Sequence, residues 1–60
     1  MKAILEPGML VRHPLRQDWG LGQVQSVIAA RVTVNFEHAG KVVVDSNNIA
    51  LVPDFGASKP

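Results

Sequence analysis

The chain alternates between apolar and polar positions. From Gly22 to Phe36 the even positions are Gly, Val, Ser, Ile, Ala, Val, Val and Phe, and the odd positions are Gln, Gln, Val, Ala, Arg, Thr and Asn. One set is apolar or small and the other mostly polar, and the two-residue period keeps its phase throughout. Successive side chains of a β-strand point to opposite faces, so this pattern predicts half-buried strand structure over the whole stretch. Shorter strand-like runs flank it. Met9–His13 is entered through Pro7-Gly8 and stopped by Pro14, Lys41–Asp45 follows the turn Glu37-His38-Ala39-Gly40, and Ile49–Val52 is closed by Pro53. Gly40 is free to take a positive φ there. Leu15 to Gly20 reads as a loop, and Ser46-Asn47-Asn48 suits a turn. No segment sustains a 3.6-residue apolar period, so no long helix is expected. Five short strands with tight connections predict an all-β protein, a small antiparallel barrel of the SH3-like type.

The unbroken phase from residue 22 to residue 36 poses a problem. A two-residue hairpin loop reverses the inward parity, whereas a three-residue loop keeps it but usually needs a residue in the left-handed region, most often Gly. The midpoint, Ile28-Ala29-Ala30-Arg31, contains no Gly, Asn, Asp or Pro. Ile and Ala both meet a steric cost at positive φ. Two readings follow. In one, an ordinary hairpin forms because packing overrides turn propensity. In the other, a single long strand runs through a hinge at Ala29-Ala30 and each half pairs with a second chain, giving a strand-exchanged homodimer. Both stay open on the sequence alone.

Size sharpens that question. Sixty residues, 47% of them hydrophobic and 18% charged, fit one folded domain over 1–60, with an ordered core of about 7–53 and a tail at 54–60 that Phe55 would anchor. A chain this short buries only about 60% of its unfolded surface and tends to need a staple. It has no cysteine, which excludes disulfides and thiolate zinc sites, and its two histidines, His13 and His38, are too few for a structural metal without carboxylate help. Self-association remains. The net charge of +1 gives no strong field toward nucleic acid. No apolar run approaches the roughly 20 residues of a membrane span, and Glu6-Pro7 interrupts any signal-peptide pattern, so a cytoplasmic location is expected.

The chemistry-bearing residues do not form a catalytic pattern. Ser26, Ser46 and Ser58 lie outside any nucleophile-elbow context, and Glu6, Asp18, Glu37, Asp45 and Asp54 are scattered among turns and termini. Gly20-Leu21-Gly22 lacks the lysine and helix of a phosphate loop. We therefore expect no enzyme activity, no cofactor and no metal. His13 reads as a structural histidine bonding loop backbone, and His38 as a solvated turn residue. With no tyrosine and few aromatics, a methyl-lysine cage is not expected. Trp19 reads as a plug for one end of the barrel, or else as an exposed binding residue. Arg12, Arg16, Arg31 and Lys41 form either a solvated face balanced by Asp18, Glu37 and Asp45 or a modest phosphate-contacting stripe.

Pro7-Gly8-Met9-Leu10-Val11-Arg12-His13-Pro14 followed by Trp19-Gly20-Leu21-Gly22-Gln23-Val24 resembles the G-x-x-V-x-H-P-x-(F/W)-G-x-G-x-V pattern of the Tudor-like domain at the C-terminus of UvrD-type repair helicases. It is also similar to the RNA-polymerase-binding module of CarD-type transcription regulators. The whole chain resembles more closely a family of short bacterial proteins of unknown function that consist of this domain alone. The resemblance implies an SH3/Tudor-like barrel and a role in docking onto RNA polymerase or a repair factor. Gly8, His13, Pro14, Trp19, Gly20 and Gly22 match the motif, as architectural residues. The loop Leu15-Arg16-Gln17-Asp18 is longer than in the helicase pattern, and glycines between the second and third strands are missing.

Overall fold

Residues 5–54 are described by a computed structural model, and strands form in them wherever the alternation is strongest. They are β1 (Leu10–Arg12), β2 (Gly22–Ile28), β3 (Arg31–Phe36), β4 (Gly40–Asp45) and β5 (Val52–Pro53), with a single 3-10 turn at Gln17–Trp19. Of the expected tail at 54–60 only Asp54 is described, and its N–H is held by the Leu10 carbonyl at 2.8 Å, while the anchoring role of Phe55 lies outside the described residues. All pairings are antiparallel, in one sheet of order β4-β3-β2-β1-β5. The expected all-β architecture is therefore present as an open, barrel-like sheet, with β4 and β5 at its two edges. Among the described residues no helix is long and apolar enough to cross a membrane.

The phase problem is solved by two reversals that cancel. Ile28 pairs with Arg31, so Ala29-Ala30 is a two-residue hairpin loop and does reverse the parity. The register also slips between Val24, which pairs with Val34, and Ser26, which pairs with Thr33. Gln25 is the extra residue of a β-bulge, and the bulge reverses the parity a second time. Gly22 and Val24 thus face the core before the bulge, Val27 faces it after, and Val32, Val34 and Phe36 face it in β3. The single chain closes this hairpin on itself. Four assignments from the alternation change accordingly: Ser26 and Ile28 lie on the outer face, Ile28 being 70% exposed, Val27 turns inward, and Ala30 lies in the turn.

Ala29 carries the cost of that turn. Its φ is 53°, the one positive φ at a non-glycine position among the described residues. Positive φ at the first loop residue but not at the second is the sign pattern of a type II′ turn, which normally has Gly first. The β3–β4 connection is built differently. Glu37-His38-Ala39 is a three-residue loop between the paired Phe36 and Gly40, and Gly40 sits at φ 73° as expected. This loop keeps parity, so Arg31, Thr33, Asn35, Lys41, Val43 and Asp45 share the outer face.

The inner face is a stack of valines. Val27, Val32 and Val44 form one cross-strand row, Val24, Val34 and Val42 the next, and Gly22, Phe36 and Gly40 the third. Val11 and Leu51 close the core from β1 and from the approach to β5. The last strand is shorter than the sequence suggests. Ile49–Leu51 is a connecting segment with Leu51 turned into the core, and strand pairing begins only at Val52. Pro53 belongs to that strand opposite Val11, an edge position where a missing N–H costs nothing.

Replacing Ala29 by Gly removes the steric penalty at φ 53° while adding chain entropy to the unfolded state. The first effect is about 1–2 kcal/mol and the second about 0.5–1 kcal/mol. We expect Ala29→Gly to raise stability by about 0.5–1 kcal/mol, read as a higher urea midpoint with an unchanged slope. An unchanged or lower midpoint would show that the turn is not strained.

Candidate functional site

The sequence motif builds a corner of the barrel. His13, at the end of β1, is only 7% exposed, and its Nδ1 accepts a hydrogen bond from the Leu15 N–H at 3.1 Å, which fixes the turn at Pro14. The imidazole meets the Trp19 ring edge-on at 4.8 Å and the Phe36 ring at 6.5 Å, and Trp19 lies 5.2 Å from Phe36. Trp19 is half-buried and packs against the valine core, so it plugs one end of the sheet. The guanidinium of Arg16 covers its outer face at 5.0 Å from the ring centroid. The cluster buries its large apolar groups and keeps one cation over the ring.

The glycines let other chain segments into this corner. At Gly22 a Cβ would lie 2.5 Å from Val34 Cγ1 and 2.6 Å from Phe36, closer than carbon atoms approach. Gly20 has φ 77°, and a Cβ there would meet Glu37 Oε1 at 2.8 Å. The close approach is used: the Leu21 N–H donates to Glu37 Oε1, the Glu37 N–H to the Leu21 carbonyl and the His38 N–H to the Trp19 carbonyl, at 2.9, 2.9 and 3.0 Å. The β3–β4 loop is thereby pinned to the entry of β2. Gly8, at φ 96°, donates to the Val24 carbonyl and sets the turn into β1. His38 is exposed, as expected.

The basic residues do not form one stripe. Arg12 Nε donates to Asp54 Oδ2 at 2.6 Å, which ties β1 to the chain beyond β5. Arg16 pairs with Asp18 at 3.4 Å, and this guanidinium holds the exposed Asp18 carboxyl below its ordinary value. Arg31 and Lys41 stand on the outer face, Arg31 opposite Asp45 and Lys41 opposite Asn35. They occupy different rows about 14 Å apart along the strands. Among the described residues no group of His, Asp and Glu side chains is arranged to hold a metal ion.

A different surface stands out, one the alternation did not point to. Ile28 on β2 and Val43 on β4 are 70% and 61% exposed. They line a shallow depression of about 470 Å³ together with Ala29, Ala30, Arg31 and Asp45. Val43 was legible as the middle of three consecutive valines, since a strand cannot turn all three inward. Ile28 was not, because its exposure depends on the bulge at Gln25. Leu15, at the tip of the corner loop, is also 73% exposed. A second, apolar groove of about 500 Å³ runs between Leu5, Val27 and Val32 on one side and Ile49–Pro53 on the other.

The chain matches a protein family described as Protein of unknown function (DUF3553) over residues 5–53, and it belongs to that family. No curated protein and no solved structure matches it. The match covers all five strands, so the family domain is this five-stranded sheet.

The corner is structural, and its members should weigh unequally. Trp19→Ala removes a half-buried ring from three contacts and is expected to cost about 3 kcal/mol. Arg16→Ala loses an exposed cation–π contact worth under about 1 kcal/mol. Urea unfolding followed by circular dichroism makes the comparison, since Trp19 is the only tryptophan. Equal losses would refute the assignment of Trp19 as the plug.

Proposed function

We propose that the protein is a non-enzymatic interaction module whose outer β2–β3–β4 face docks on a protein partner. The observation behind this reading is the depression in which Ile28 and Val43 lie exposed beside Arg31 and Asp45. Large apolar groups exposed in one depression and flanked by charge have the make-up of a protein-binding patch. The resemblance to helicase and CarD-type modules suggests a partner in transcription or repair, RNA polymerase among them, and so a cytoplasmic setting. The other reading, weak DNA or RNA binding by Arg12, Arg16, Arg31 and Lys41, has less support. Two of these four cations pair with carboxylates, and the other two are in separate rows.

Affinity capture from lysate tests the proposal. The tagged wild-type chain is expected to recover subunits of RNA polymerase or of a repair complex. Ile28→Ser and Arg31→Glu, both at exposed positions, should lose them while keeping the fold. Equal recovery by the variants, or none by the wild type, would overturn it. Binding to a short duplex that falls steeply with salt would favour the nucleic-acid reading instead.

A further inference from the structure

The two edges of the sheet are unlike. β5 has two residues and one of them is Pro53, so it offers almost nothing to a neighbouring strand. β4 has six residues, Gly40-Lys41-Val42-Val43-Val44-Asp45, and has neither proline nor bulge. Among the described residues no strand pairs with its second side. Its backbone orientation follows from one bond. The Ser46 N–H donates to the Ala30 carbonyl at 2.8 Å, in the register that continues from Asp45 opposite Arg31. Bonded and non-bonded pairs alternate along an antiparallel ladder. Val42 and Val44 therefore bond to β3, and the N–H and C=O groups of Lys41 and Val43 and the N–H of Asp45 face the open side, while the Asp45 carbonyl is taken by the Asn48 and Ile49 N–H groups.

This edge is complementary to itself. If a second copy lies antiparallel with Val43 on the two-fold axis, each Lys41 stands opposite the partner's Asp45, and each Val42 stands opposite the partner's Val44. Lys41, Val43 and Asp45 share the outer face, so the opposite charges meet on the side where the side chains project. The two Val43 side chains meet between them. The two Val43 residues exchange N–H to C=O bonds, and each Asp45 N–H reaches the partner's Lys41 carbonyl. We propose that β4 is a homodimerisation edge, with two copies joined β4 to β4 in a two-fold, isologous pairing that continues the sheet from one protomer into the other. The occupant is set by charge complementarity, since the same strand supplies both the cation and the anion at matching distances from its centre. The inference rests on the outer face being a docking surface, and it names the chain itself as a partner.

Mass measurement by sedimentation equilibrium, from about 10 µM to about 1 mM, is the test. The wild type is expected to approach twice the chain mass of 6.5 kDa. Lys41→Asp places two carboxylates opposite each other at both ends of the pairing, and Val43→Lys places two ammonium groups on the axis. Each should weaken dimerisation about tenfold or more. Asp45→Lys should do the same alone. Mixed with Lys41→Asp it should restore a dimer, because both cross-pairs then carry opposite charges. Asp45 also accepts hydrogen bonds from the Asn47 N–H and Asn48 Nδ2, so the fold of Asp45→Lys is first checked by circular dichroism. If it is unfolded, Lys41→Asp and Val43→Lys decide alone. A wild type that stays monomeric to about 1 mM overturns the proposal. So does a dimer that survives Val43→Lys but is lost in Ala29→Gly, which would be the strand-exchanged form. Partner capture that persists in a monomeric wild type leaves the docking face standing and removes only the homodimer. A dimer whose Ile28→Ser variant captures as well as wild type does the reverse.

Discussion

A β-hairpin closed by two residues reverses which face of the second strand points inward, and every row of this core depends on how that reversal is absorbed. The bulge at Gln25 absorbs it. Without the bulge, a β2 that kept Val24 inward would bring Ile28 inward and turn Val27 out, and its last residues would be out of phase with Val32 and Val34. With it, Val24, Val27, Val32, Val34, Val42 and Val44 make two continuous rows across three strands. The bulge also leaves a trace on the surface. It presents Ile28 to solvent on the outer face that also carries Val43, and so the device that completes the core adds an exposed apolar group outside it. The packed inner face and the exposed Ile28 on the outer one have a common origin in one unpaired residue.

The opposite end of the sheet is governed by close approach. Three separate segments converge on Gly20 and Gly22: the 3-10 turn that carries Trp19, the side chains of Val34 and Phe36, and the loop at Glu37 and His38. Removing two β-carbons lets aromatic rings and backbone bonds occupy the same corner. His13 is the link between them, since its ring packs on Trp19 while its Nδ1 holds the turn that aims Trp19 inward. The ring face and Nδ1 of this histidine both serve the corner. Its neighbours provide aromatic surface and a backbone donor rather than a nucleophile or a metal ligand.

Strand content, the turn glycine at Gly40 and the backbone bond of His13 were readable from residue type and spacing, because each is a local requirement, whereas residue type left Trp19 open between a plug and an exposed binding residue. Other features were not. Two parity reversals that cancel leave the alternation of residues 22–36 unchanged, so neither the bulge nor the outward direction of Ile28 has a signature in the pattern. Arg12 finds Asp54 across 42 positions of chain, a pairing that exists only once β1 and β5 lie side by side. The length of the last strand was overestimated for a related reason. Ile49 and Leu51 have strand-like composition, but Leu51 is drawn into the core and the chain joins β1 only afterward. Alternation reports which residues avoid water, and it does not report which backbone finds a partner.

Asp45 shows how a domain this small makes one residue serve several ends. Its carboxylate accepts from the Asn47 N–H and the Asn48 side chain, and its carbonyl accepts from the Asn48 and Ile49 N–H groups. Those bonds turn the chain sharply at the end of β4 and carry it under the core toward β5. Had the chain continued straight, it would have left Leu51 without a place among the valines. Because it turns, no following segment among the described residues runs back along β4, and the edge of the longest run of valines stays open. This sheet is open, and among the described residues no strand covers either of its edges. It can keep one edge short and proline-terminated, as at β5, and leave the other available. In a chain with few buried side chains and no covalent cross-link, an available edge with opposite charges at its two ends is the least costly way to gain further burial, since the backbone groups are already aligned and only a second copy is required.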